Sequence, residues 1–306
     1  MCGQSILSSL VRVQMSIATG LRSAFRRLSA AVTRASADTG RGRPEQPASL
    51  SDYPDLLQEV ERRLRSTQPH EEDFRFFAHL DGRDGLFVDI GANWGQSAIS
   101  FRLFNKTFRI ISFEPNAKLE PALALIKRRF GDTFEYRMHG LGERDEVRAL
   151  HVPKTKGANL SPSGSLAPGE FQKSYVVERL KKESRADGGN FAFYELQVDI
   201  RKFDDLGIRP DVVKIDVEGW ECEVLRGMAD TIGRYRPLLM IELNNVERVM
   251  PMLDQLGYVA FAYDPASDRL IRWHNDYSVL NVFLFHHSEL EHISAKYGVH
   301  CADAAE

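Results

Sequence analysis

Between residues 84 and 290 the chain alternates short apolar runs with stretches in which apolar side chains return every three or four positions. Short apolar runs bounded by turn formers read as buried strands, and a 3.6-residue period reads as a helix with one buried face. The pattern predicts strands at 86–90, 109–113, 134–138, 212–215 and 238–243, interleaved with helices at 96–104, 118–130, 221–228 and 246–256. In the second of these helices Leu119, Leu123, Ile126 and Phe130 share one side. Strands that alternate with helices are joined by right-handed crossovers, so the expected fold is α/β, with a mostly parallel sheet and helices on both faces. Residues 147–152 alternate in polarity and should pair antiparallel nearby. Only a turn-rich stretch, "DPASDRLIRWHND", separates the last two strands, 259–263 and 279–285, which predicts an antiparallel hairpin at the sheet edge.

Ahead of this block, Leu56, Leu57, Val60 and Leu64 lie at helical spacing, with Ser51 or Asp52 placed to cap and Pro54 in the first turn. Phe74, Phe76, Phe77 and Leu80 suggest a second short helix, and both should pack beside the sheet. Residues 37–49 are rich in Gly, Pro and Ser and read as a linker. Residues 1–37 hold no acid but carry Arg12, Arg22, Arg26, Arg27 and Arg34, opposite a helical stripe that includes Leu7, Val11, Leu21, Phe25 and Leu28. Such a stripe fits an anionic membrane surface. The same composition fits an organelle-targeting segment, and a poorly ordered extension is the third reading. The expected organisation is an extension and linker at 1–50, a helical lead-in at 51–83, a main domain at 84–290 and a tail at 291–306. Residues 154–190 interrupt the main domain; loops of that length carry function or lack order.

Composition narrows the class. The chain has 306 residues, 43% of them hydrophobic and 27% charged, enough for the core of one large domain. A net charge of −3 gives no footing for nucleic acid. No apolar run approaches the ~18 residues of a membrane span. Cys2, Cys222 and Cys301 are sparse and far apart, which fits a reducing, cytoplasmic setting rather than a disulfide framework. His286 and His287 make no metal-ligand pattern, and no metal site is expected.

The candidate chemistry lies where strands end. In an open parallel sheet, ligands sit beyond the carboxyl ends of the strands. The first strand runs into "VDIGANWG", so Asp89, Gly91, Ala92, Asn93 and Gly95 are candidate cofactor-binding residues. Gly91 permits a positive φ, and Gly95 would let the turn approach a ligand closely. The second strand ends in Glu114, which can accept hydrogen bonds from the two hydroxyls of a ribose, and Pro115 shapes the turn that follows. Ala92 and Asn93 break a GxGxxG dinucleotide fingerprint, and no phosphate loop ending in GK[ST] is present. A cofactor without a pyrophosphate suits such a turn. S-adenosylmethionine fits, with Asp89 near its ammonium end.

Asp216 and Glu218 follow an apolar strand in "KIDVEGWE", and Glu242 ends the next one. Carboxylates there are costly unless used or paired. Glu218 shares the phase of Asp216 if the strand continues. The plain alternative for Glu242 is a salt bridge. These three are the candidate catalytic residues, able to take a proton from an acceptor directly or through a divalent metal held between them. Trp94 and Trp220 follow the two glycine turns and either wall a pocket or cover the sheet.

"FVDIGANWG", "FEPN", "DVVKIDVEGWECEVLRGM", "PLLMIEL" and "NVFLF", in that order, resemble the FkbM family of methyltransferases over residues 84–286. "KIDVEGWE" is the most specific block. "VDIRKFDDLGI" is also similar, with Phe203 where the family more usually has Leu. The resemblance implies a Rossmann-like class I methyltransferase fold and S-adenosylmethionine as cofactor. It implies an adenine site near His139, Gly140, Leu141 and Gly142, and O-methylation of a sugar, glycan, lipid-linked glycan or secondary metabolite. It does not reach the N-terminal extension and is weak at 154–190. The rival readings are an NAD(P)-dependent oxidoreductase, opposed by the broken fingerprint, and a catalytically silent nucleoside-binding module, opposed by the intact acids.

Overall fold

The computed structural model describes residues 54–154, 164–167, 177–178, 192–242, 246–274 and 279–302. The chain divides into residues 1–47 and 48–306, and all described residues belong to the second unit. The expectations for residues 1–53, among them the linker and the Ser51 or Asp52 cap, and for most of 154–190 lie outside them.

In chain order the strands are β1 (Leu86–Ile90), β2 (Arg109–Phe113), β3 (Phe134–Arg137), β4 (Gly140–Gly142), β5 (Glu146–Lys154), β6 (Ala192–Lys202), β7 (Val212–Ile215), β8 (Leu238–Glu242), β9 (Tyr258–Asp264), β10 (Arg269–Arg272), β11 (Asn281–His286) and β12 (His300–Ala302). The main sheet runs β3-β2-β1-β7-β8-β11-β9-β10-β12. Its first five strands are parallel, and β11 lies antiparallel to both β8 and β9. This is the mostly parallel α/β sheet that the sequence predicts. The β9–β11 pair is the expected hairpin, but it is not the edge. β11 inserts between β8 and β9, and β10 and β12 continue the sheet outward. β10 arises inside the stretch read as a loop, because its four residues, with Leu270 fully buried, are too short for a legible alternation.

Each interior strand is apolar on both faces, as a sheet covered on two sides requires. Phe87, Ile110, Val212, Met240 and Phe283 face one layer, formed by α1 (Pro54–Arg65), α2 (Gln96–Phe104), α3 (Glu120–Phe130) and a 3-10 helix at Glu72–Leu80. The predicted Phe74, Phe76 and Phe77 are fully buried in that layer, and Phe87 stacks on Phe101 at 4.1 Å. Val88, Ile111, Val213 and Ile241 face the other layer. It is built from α4 (Glu221–Gly227), α5 (Ala229–Tyr235), α6 (Val246–Gln255) and the small sheet β4-β6-β5. The expected antiparallel partner of 147–152 is β6.

Three fully buried polar residues break the apolar pattern. Ser112, Asp89 and Lys214 stand in one register row across β2, β1 and β7. That row leads to the carboxyl ends of the strands. No helix among the described residues is long and apolar enough to cross a membrane.

Candidate active site

The turn after β1 is drawn tight by the chain itself. The amides of Gly91 and Ala92 both donate to the carbonyl of Phe113 at 3.0 Å. Gly91 has φ +82°, and a Cβ there would stand 1.8 Å from the carbonyl oxygen of Asp216. Gly95 has φ +92°, and its Cβ would stand 2.2 Å from Ile126 Cδ1. Gly95 thus holds a left-handed turn that packs on α3 and stays off the cavity lining, which corrects the expectation that it makes room for a ligand. Gly91 serves the close approach of β1 to β7.

Beyond the ends of β1, β2, β7 and β8 lies a cavity of about 260 Å³. Of the residues that the sequence singles out, Gly91, Asn93, Glu114, Pro115, Gly140, Leu141, Asp216, Glu218 and Glu242 line it. Ala92 and Gly95 do not; they form the buried back of the turn. Trp220 walls the cavity, whereas Trp94 packs on the hydrophobic core. His139 stands outside the lining, edge-on to Phe113 at 5.3 Å.

At one end, the Glu114 carboxylate accepts from the amides of Asn93 (2.7 Å) and Asn116 (2.8 Å). Burial pushes its pKa up to about 7, against those two amides, which favour the anion. Asn93 Oδ1, Gln96 Oε1 and Trp220 Nε1 belong to lining residues and are buried without hydrogen-bond partners. Buried polar atoms ordinarily find a partner, so this wall fits a polar ligand such as a nucleoside.

The other end is acidic. Lys214 Nζ, fully buried, donates to Asp216 Oδ2 at 2.8 Å. Burial alone would raise the pKa of Asp216, but the Lys214 ammonium and a hydrogen bond from Glu242 hold it below the usual carboxylate range. Glu242 moves the opposite way, to about 10, through burial and the neighbouring Asp216 charge. The two carboxyl groups thus share one proton. The predicted salt-bridge alternative for Glu242 gives way to this acid–carboxylate pair. Asp89 does not line the cavity, which corrects its assignment as a residue touching the cofactor. It lies wholly buried beneath, accepting from Ser112 Oγ at 3.0 Å beside Lys214. Glu218 lines the cavity from a left-handed turn, φ +49°, because β7 stops at Ile215 and its phase is not continued.

Two residues of this site escaped the sequence reading. Lys214 has a visible signal: a lysine inside the apolar run "DVVKI", which a buried strand tolerates only with a partner. Glu71 has none, since it precedes the matched blocks and reaches the cavity through the fold alone. Its Oε2 accepts from Asn281 Nδ2 at 2.8 Å. Gly164 and Leu166, from the 154–190 segment, also line the cavity. Among the described residues no cluster of three or more His, Cys, Asp or Glu is arranged to hold a metal.

These shifts give the protein a pH-dependent stability. Asp89, at about 6, Glu114 and Glu242 keep their protons in the folded state to higher pH than in the unfolded chain. Their stabilisation is complete below the ordinary carboxylate range and is lost as pH rises through the folded values. His70, pushed down to about 3 by burial and Lys214, acts in the opposite sense, but only below about 6.5. The ligand-free protein should therefore melt at lower temperature at pH 8 than at pH 6.5, and Glu242→Gln should flatten that slope. A Tm that is level or rises over this interval contradicts the assignment.

Residues 89–260 match the Methyltransferase FkbM domain. The chain belongs to the FkbM methyltransferase family. The match covers both glycine-bearing turns, Glu114 and the Asp216–Glu242 pair, and leaves the Glu71 lead-in outside it. Among solved structures, this FkbM-family chain is similar to methyltransferase FkbM from Methylobacillus flagellatus KT, at 16% identity over 76% of this chain and 59% of that one, with a TM-score of 0.42. It is similar to an S-adenosylmethionine-dependent O-methyltransferase from Thermotoga maritima, at 12% identity over 76% of this chain and 70% of that one, with a TM-score of 0.36. A precorrin-6y C5,15-methyltransferase from Geobacter metallireducens GS-15 is similar at 12% identity, over 81% of this chain and 92% of that one, with a TM-score of 0.33. The chain spans 59% of the length of the first of these. No curated protein sequence matches it.

Proposed function

We propose that this methyltransferase uses S-adenosylmethionine to methylate a hydroxyl oxygen of a sugar, glycan, lipid-linked glycan or secondary metabolite. The observation that carries the reading is one cavity with a buried acid, Glu114, at its β2 end and the Asp216–Glu242 pair at its β8 end. S-adenosylmethionine supplies a methyl group already activated on a sulfonium. Glu114 accepts from the ribose hydroxyls while the Asn93 and Asn116 amides hold its carboxylate in place. Gly140 and Leu141, which line the same cavity, would border the adenine. Asp216, kept anionic by Lys214, takes the proton of the acceptor hydroxyl, and protonated Glu242 holds Asp216 in position. Alignment of the hydroxyl with the methyl supplies much of the remaining rate.

Acceptor choice falls to the walls beyond Asp216. Ser165 exchanges backbone hydrogen bonds with His151 on β5, and its Oγ donates to the Glu218 carbonyl at 2.6 Å. This anchors Gly164 and Leu166 against the cavity and supports a role for the 154–190 segment in selecting the acceptor.

Calorimetric titration with S-adenosylhomocysteine and, separately, NAD(P)H tests the cofactor. Mass spectrometry of glycans and lipids from cells with and without the protein tests the acceptor. Binding of the nicotinamide cofactor alone, or unchanged methylation in every hydroxyl-bearing fraction, overturns the proposal. Glu114→Ala should weaken S-adenosylhomocysteine binding by roughly 1.5–3 kcal/mol, the scale of hydrogen bonds to a charged group. Unchanged affinity would remove the ribose role.

A further inference from the structure

Glu71 lies outside the residues that match the family, yet it lines the cavity, and its partner Asn281 pairs with Glu242 at the β8 end. The tips of β2 and β8 are three strand spacings apart, about 14 Å. A ribose held at Glu114 would leave the sulfonium, two bonds beyond the ribose ring, in the same cavity as Asp216. Asp216, Glu218 and Glu242 line this cavity from the strand ends, and Glu71, close enough to Lys214 and Asp216 to feel both charges, lines it from the lead-in. The Asp216 charge is offset by the Lys214 ammonium 2.8 Å away, and burial beside that charge favours the protonated form of Glu242. Glu71 is held by Asn281, which stands opposite Glu242 at the start of β11 and also donates to Asp73 Oδ2 at 3.1 Å. His70, which stays neutral, lies 3.4 Å away on the other carboxylate oxygen.

We propose that Glu71 is a cofactor-discriminating residue, whose carboxylate makes the site prefer the cationic, methyl-bearing cofactor over its neutral product. The inference rests on the S-adenosylmethionine reading above. Cofactor and product differ at sulfur by one methyl group and one positive charge. A carboxylate facing the sulfur attracts the first and gains little from the second, so it favours exchange of product for fresh cofactor. Burial, with the Asp216 and Asp73 charges beside it, raises the pKa of Glu71, while Lys214 and the Asn281 amide favour its anion, and an arriving cation adds to that side.

Dissociation constants for sinefungin and S-adenosylhomocysteine, measured by calorimetry, test this. Sinefungin carries an amine-bearing carbon in place of the methylsulfonium and so keeps the positive charge. The wild-type protein should bind sinefungin more tightly. Glu71→Gln, which keeps an acceptor for Asn281, should cut that preference roughly tenfold and leave the affinity for S-adenosylhomocysteine within about twofold. Asp73→Asn shares the Asn281 contact but does not line the cavity, and it should leave the preference intact. A preference that survives Glu71→Gln, or that Asp73→Asn lowers equally, overturns the proposal. So does a wild-type protein that binds S-adenosylhomocysteine at least as tightly as sinefungin, a result that needs no variant to fold. Binding of neither ligand removes the cofactor reading and this inference with it.

Discussion

Lys214→Met should lower the free energy of unfolding by about 3–5 kcal/mol, the range for stripping one partner from a buried ion pair. Lys214 is fully buried, hydrogen-bonded to Asp216 at 2.8 Å and close enough to Asp89 and Glu71 to be stabilised by both. Methionine fills a similar volume, so the loss is electrostatic rather than a cavity. The variant leaves several carboxyl groups around a site with no cation, and Asp216 must take up a proton to compensate. Asp216→Asn in the Lys214→Met background should recover part of the loss, because it removes the charge left unpaired; contacting pairs couple by about 0.5–3 kcal/mol. Denaturant midpoints of the four proteins in this cycle measure it. A single variant within about 1 kcal/mol of wild type would mean that the ammonium is not what keeps Asp216 ionised.

Gly91→Ala should destabilise by more than about 3 kcal/mol and abolish measurable cofactor binding. A left-handed non-glycine residue carries a strain of about 1–3 kcal/mol by itself. Here the added Cβ also meets the Asp216 carbonyl at 1.8 Å. That oxygen cannot swing aside cheaply, because the Asp216 amide is bonded to the Ile90 carbonyl at 3.0 Å. The tips of β1 and β7 would have to part, moving Asp216 away from the turn. Gly95→Ala is the informative contrast. Its clash is with Ile126 Cδ1, the far end of a flexible side chain, so Ile126→Val should restore part of Gly95→Ala and nothing of Gly91→Ala. Thermal melts and S-adenosylhomocysteine titrations of the four variants decide between them. Wild-type stability in Gly91→Ala would refute the close approach.

Much of this fold could be read from local pattern. The alternation of short apolar runs with helical periodicity predicts the five parallel strands and the helices between them, because burial on two faces or on one stripe leaves its period in the chain. The strand-end residues Glu114, Asp216 and Glu242 were legible for a related reason. An acid directly after a buried strand is conspicuous, and strand ends are where an open sheet binds ligands. Gly91 and Gly95 were equally conspicuous, but their cause was not. A glycine in a turn announces a tight approach without saying whether a ligand or another part of the chain stands opposite.

What the sequence determined by itself is the class of sheet, the family and the set of strand ends that border the cavity, since all of these follow from neighbours within a few residues. The tertiary structure decided the partners. It turned Lys214 into the cation beneath Asp216 and set Asp89 behind the cavity instead of in it. It threaded β11 between β8 and β9 and brought Glu71 within 2.8 Å of Asn281, 210 residues away. Such contacts leave no local period, because the free energy that selects them comes from closing the sheet and satisfying buried polar groups that only meet once it has closed.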